Sequence, residues 1–219
     1  MRKIITILLS FLFISFQSAK AEFGIGVTGA FHMIEADGTE TTRQSGQRNN
    51  GSHSEDVIVP ELFVESLLDG GVTLGLSYIP TREMGSKSRS DTSTSGDGQD
   101  TGTYTAKAEL DNVIQIYTDF PLTEYAGYAI HGKFGIQHAT VVTLESLNSG
   151  STYPDEDVHG FTIGLGAKGA LPYGNNLFYK ADITYTEFTD YENGDEAATG
   201  NKVEAELEDT AVKFSVGYK

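Results

Sequence analysis

Stretches in which apolar and polar residues alternate, joined by connections that switch between long and short, constrain this chain more than any other feature. A period of two sends successive side chains to opposite faces of a strand. A long and short rhythm is what an up-and-down transmembrane barrel requires, with tight turns on one side of the membrane and longer loops on the other. The pattern therefore speaks to architecture and location before it speaks to activity.

A period-two template predicts eight strands, over 22–35, 57–68, 72–79, 103–120, 127–144, 158–171, 177–191 and 202–219. The first sets Phe23, Ile25, Val27, Gly29, Phe31 and Met33 against Gly24, Gly26, Thr28, Ala30 and His32. The second sets Leu62, Val64 and Leu68 against Glu61 and Glu65, and the third Leu74, Leu76 and Tyr78 against Thr73, Gly75 and Ser77. In the fourth, Ala106, Ala108, Leu110, Ile114, Ile116 and Phe120 share one face, with Lys107, Glu109, Asp111, Gln115, Tyr117 and Asp119 on the other. Short turns are expected at Asp69-Gly70-Gly71, 121–126 and 172–176. The long connections are 36–56, 80–102, 145–157 and 192–201, and the second, rich in Ser, Thr, Gly and Asp, reads as a mobile loop. Both termini then fall on the short-turn side.

The start of the chain fits export. Arg2 and Lys3 precede an apolar run from Ile4 to Phe16, and Ala19-Lys20-Ala21 has the small-x-small form that signal peptidase cuts. The run is shorter than the roughly 20 residues of a spanning helix. Residues 1–21 are thus expected to be a cleaved signal peptide and residues 22–219 a single barrel domain. Losing Arg2, Lys3 and Lys20 takes the net charge from −16 to −19. Such acidity argues against a nucleic-acid partner. With no cysteine, the chain has neither a disulfide framework nor a lipoprotein attachment point.

A soluble sandwich or a lipocalin-like barrel can also alternate. Charge placement separates them from a membrane barrel. Through the middle of each predicted strand, charges keep to one face while the other carries Leu, Ile, Val, Phe, Tyr, Ala and Gly, a belt that water would not tolerate and a bilayer requires. Phe23, Phe120, Tyr128, Tyr179 and Tyr218 would line the periplasmic interface, and Phe31, Tyr78 and Tyr185 the outer one. Tyr there takes the place of Trp, which the chain lacks.

On these features, and on a final strand Thr210-Ala211-Val212-Lys213-Phe214-Ser215-Val216-Gly217-Tyr218-Lys219, the mature chain resembles the small eight-stranded outer-membrane β-barrels, the group of the OmpA transmembrane domain, OmpX and the neisserial opacity proteins. The resemblance implies an all-β, eight-stranded antiparallel up-and-down barrel in the outer membrane of a Gram-negative bacterium. It also implies a monomer in contact with outer-membrane lipid and lipopolysaccharide, inserted by the barrel-assembly machinery, which in such families recognises an alternating, aromatic-ended last strand. Here Lys219 follows the last aromatic, where such families end on Phe.

The inner face permits a sharper expectation. Glu61, Glu65, Asp119, Lys133, Lys168, Lys180, Asp182 and Lys213 all project inward, most of them near the periplasmic rim. An eight-stranded lumen is just wide enough for side chains to fill, and charges so confined should pair into a plug. The alternative is a narrow pore or a conduit for small or hydrophobic solutes. Acidic residues crowd the outer loops, and Asp155, Glu156, Asp157, Glu192, Asp195 and Glu196 form a candidate site for Ca2+ or Mg2+, although Asp190-Tyr191-Glu192-Asn193-Gly194-Asp195 does not follow EF-hand spacing. A solvated acidic face is the plainer reading.

His138 and His159 are expected on the outward face near the outer leaflet, where the lipid A deacylases of outer membranes keep a Ser-His-Glu type site, and His138 with Thr140 loosely resembles that pattern. No nucleophile stands beside either histidine, and His32, His53 and His131 show no metal-ligand spacing, so neither catalysis nor a cofactor is expected. The sequence reading is a structural or surface-interaction barrel, adhesin-like, with an extracellular partner to be met by its acidic loops.

Overall fold

The computed structural model describes residues 22–41, 43, 45–91, 102–146, 153–172, 176–194 and 201–219. The expected signal segment, and Asp195 and Glu196, lie outside them. The strands are β1 (Glu22–Thr41), β2 (Arg48–Leu67), β3 (Thr73–Ile79), β4 (Arg82–Asp91), β5 (Gly102–Tyr125), β6 (Tyr128–Ser146), β7 (Glu156–Ala170), β8 (Leu177–Phe188), β9 (Tyr191–Gly194) and β10 (Lys202–Tyr218).

Every neighbouring pair is antiparallel, and β10 pairs with β1 from Ile25↔Tyr218 to Thr41↔Lys202, which closes the sheet on itself. β3 and β4 follow one another along β5, and β8 and β9 follow one another along β10, so the ring has eight staves. Closure matters because a membrane offers no partner to an open strand edge.

Several strands outrun their expected lengths. β1 and β2 stay paired to Thr41↔Arg48, so the connection expected over 36–56 shrinks to 42–47. Residues 82–91, expected to be loop, form β4 against Gly102–Leu110, and Glu192, Asn193 and Gly194 of the expected acidic loop pair with Glu204, Val203 and Lys202 of the last strand. The polar side chains that suggested loop are compatible with strand wherever both faces meet water and a neighbour takes the backbone bonds.

At the other end, β5 runs through Pro121 to Tyr125, and the turn is Ala126-Gly127, with φ of 52° and 83°. Positive φ at both central positions is the hairpin geometry that Asn-Gly serves best. Ala126→Asn is expected to stabilise the barrel by about 0.5–1 kcal/mol, read from the urea midpoint in micelles, because alanine is costly in the left-handed region.

The face assignments of the fourth expected strand need one correction. Leu110, expected outside, is fully buried inside, while Lys107 lies outside, donating to Glu109 (2.6 Å) and Glu83 (3.0 Å). The cause is a bulge between Asp111 and Ile114 in the β5–β6 register, with Asn112 at φ 52°, which reverses the alternation. Hydrogen bonds from Lys107 to those two carboxylates, well outside the membrane-spanning part, raise its pKa.

One ladder is incomplete. β2 pairs with β3 only from Leu67↔Thr73 to Leu62↔Tyr78, and two further steps of that register bring Pro60 opposite Pro80. Neither proline has an N–H to donate. Beyond them, β2 and β4 form no ladder among the described residues, and the His53 ring lies in the space that a Cβ at Gly85 would fill.

The outer surface carries the belt: Ile25, Leu62, Ile163, Leu165, Ile183 and Phe214 are each between 58% and 67% exposed. A band of that extent is stable only against lipid. Inside, the half toward the long connections is apolar, with Ile34, Val59, Ile79, Leu110, Val113 and Val158 packed together, and the half toward the short turns is polar.

Candidate functional site

The polar half of the lumen is built in two charged tiers. In the lower one, Lys180 of β8 donates to Glu65 of β2 at 2.7 Å, to Asp119 of β5 at 3.4 Å and to the Tyr117 hydroxyl at 3.3 Å. Lys168 donates to the second oxygen of Glu65 at 2.5 Å, Lys133 pairs with Asp119, and His131 Nε2 lies 2.7 Å from Asp182. The ammonium groups also sit over rings, Lys133 at 3.9 Å from the Tyr117 centroid and Lys168 at 4.2 Å from that of Phe178. Gly75 makes room for this tier, since any Cβ there would collide with the Tyr117 ring.

The upper tier joins Lys213 of β10 to Glu61 at 2.8 Å, Glu61 to His32 Nε2 at 3.2 Å, His32 Nδ1 to Asp209 at 2.9 Å, and Asp209 to Arg82 Nη2 at 2.9 Å. Uncharged groups fill the space between the tiers: Gln115 and Gln137 both donate to Thr162, and Thr28 meets Ser215 at 2.7 Å.

Across both tiers the cations Arg82, Lys133, Lys168, Lys180 and Lys213 face an equal number of carboxylates, Glu61, Glu65, Asp119, Asp182 and Asp209. The lysine, arginine and carboxylate charges of the interior thus cancel, although the chain as a whole is strongly acidic. That neutrality is what a narrow, poorly solvated space demands.

A void of about 20 Å3 remains between the tiers, room for a single water but not for a hydrated ion. Below the lower tier the lumen widens into a cavity of about 620 Å3 that opens among the short turns and is lined by Glu65, Asp119, His131, Lys168 and Phe178.

All eight lumen residues named from the sequence lie in these tiers. His32, Arg82, His131, Asp209 and Tyr117 join them without having been singled out. Arg82 fell in an expected loop, whereas His32 and Asp209 were within reach of a count by twos from Thr28 and Lys213.

The acidic residues of the long connections are spread among other partners. Asp155 accepts from the Thr143 backbone at 3.2 Å, Asp157 from Thr140 at 2.8 Å, and Glu156 from Asn193 at 2.7 Å and the Glu192 backbone at 3.3 Å. Among the described residues no group of three or more His, Asp or Glu is arranged to hold a metal ion. The Thr140 hydroxyl is thus engaged with Asp157 and not with His138, and Glu187 faces Phe161.

No protein-family model matches the chain. No curated protein matches it either. Solved structures do. The outer membrane protein OprG from Pseudomonas aeruginosa superposes with a TM-score of 0.53 at 13% identity, over 88% of this chain and 95% of that one. The fold is that of the outer-membrane β-barrels. Two further matches are looser. Neisserial surface protein A aligns over 91% of this chain and 98% of its own, at 9% identity and TM-score 0.43. The outer membrane protease OmpT from Escherichia coli aligns over 92% and 97%, at 9% identity and 0.48.

Proposed function

We propose that the chain is a monomeric barrel of the Gram-negative outer membrane with a structural or surface-interaction role, its lumen closed by side chains and its long connections turned outward to an extracellular partner. On this reading residues 1–21 are a signal peptide removed on export, and β10 is the strand that the barrel-assembly machinery recognises. The observation that carries it is the pair of charged tiers, which leave space for one water between them. Their equal numbers of opposite charges suit a plug, whereas a selective pore is lined by one sign. Among the described residues no serine or threonine hydroxyl hydrogen-bonds a histidine ring, which favours a binding role over catalysis. Purified barrel in a planar lipid bilayer should be electrically silent. Steady conductance from the unmodified protein would replace the plug with a pore.

A second reading, a conduit for small or hydrophobic solutes, draws on the Pro60–Pro80 break, which sits beside the apolar half of the lumen. Replacing both prolines by valine restores two N–H donors and lets the β2 ladder extend. If solutes pass there, uptake of a fluorescent fatty acid by proteoliposomes falls in that variant. Equal uptake with both proteins, or none with either, excludes the conduit.

A further inference from the structure

Two histidines stand together on the outer surface of the sheet. His138 on β6 and His159 on β7 are register partners, so they leave the sheet on the same side. That side is the outward one, since Ile136 and Phe161, one step nearer the belt, are exposed. His159 is itself exposed and His138 half-buried. Their ring centroids are 5.3 Å apart, with the planes inclined by 35°. Neither ring enters a hydrogen bond or ion pair among the described residues.

That spacing has a chemical meaning. Two imidazoles bound to one tetrahedral ion, at Zn–N distances of about 2.0–2.1 Å, carry their ring centroids about 5.2 Å apart. The pair stands at that separation with the backbone where it is. Asp157, facing Thr140 one step further out, and Glu187, facing Phe161 and so diagonal to His159, place negative charge near the pair. Imidazole prefers Zn2+, Cu2+ and Ni2+ to the oxygen-seeking Ca2+ and Mg2+ expected at acidic loops.

We infer that His138 and His159 form a two-imidazole site for a borderline divalent ion, Zn2+, Cu2+ or Ni2+, on the outward face above the apolar belt. With two protein ligands, the remaining coordination positions face water and accept a ligand from outside the barrel. The bound ion ties β6 to β7 at their polar ends.

The test uses the full barrel, purified without a histidine tag and folded in micelles, titrated with Zn2+ by calorimetry and with Cu2+ by pulsed electron paramagnetic resonance. One Zn2+ per chain is expected, together with Cu2+ spectra carrying nitrogen modulation from two imidazoles. His138→Ala and His159→Ala should each weaken binding at least tenfold and reduce the modulation to one ring. His53→Ala, at an exposed histidine on β2, should change neither. The heat-shift on a gel reports that each variant is still a closed barrel. Binding that survives both substitutions, that is lost with His53, or that never saturates at millimolar Zn2+ overturns the site.

Discussion

Lys180→Ala is expected to destabilise the barrel by about 3–5 kcal/mol and to convert a silent bilayer trace into one with discrete conductance steps. The Lys180 ammonium is buried and bonds Glu65, Asp119 and Tyr117 at once. Its removal leaves two carboxylates short of a cation in a space with little water, and breaking a buried pair costs far more than the intact pair contributes. The same truncation widens the passage between the 20 Å3 void and the 620 Å3 cavity below it. Urea unfolding in micelles measures the first effect and single-channel recording the second. A cost below about 1 kcal/mol, in the range of exposed pairs, would show that the tier is solvated and that Lys180 closes nothing.

Leu165→Arg should cost about 2–4 kcal/mol in lipid, as charges on the lipid face of barrels do near the bilayer midplane. Leu165 is 61% exposed and central among the outward residues of β7, between Ile163 and Ala167. In water the substitution would be nearly neutral, since an exposed leucine has little to lose. The contrast makes the experiment a test of membrane residence: folding efficiency into vesicles and the urea midpoint there should fall together. Equal stability of the two proteins in vesicles would mean that the belt faces something other than acyl chains.

Much of this architecture was legible in the sequence because period two is a robust signal wherever one face must be apolar. The inward placement of Glu61, Glu65, Lys133 and Lys213 follows from their neighbours Leu62, Val64, Phe134 and Phe214 and needs no tertiary information. The alternation is informative only within the belt. Beyond it both faces meet water, so Arg82–Asp91 and Arg48–Asp56 look like loop although their backbones are laddered. A single extra residue was enough to mislead at Leu110, because the bulge at Asn112 puts the residues before it out of step with those after it while leaving composition unchanged. Charge pairing was less legible than charge placement. That Lys180 meets Glu65, 115 residues away, depends on how the ring closes.

The length of the β1–β2 hairpin sets how far the barrel reaches. A spanning strand needs about 9–11 residues, and β1 and β2 have 20 each. At about 3.4 Å per residue and a tilt near 40°, the surplus carries the Thr41↔Arg48 end of the ladder roughly 20 Å clear of the acyl region. A laddered ribbon holds that height far better than a free loop of the same length, which would fold back at little cost. The end of the hairpin is therefore held on a stiff ribbon that stands well clear of the apolar belt.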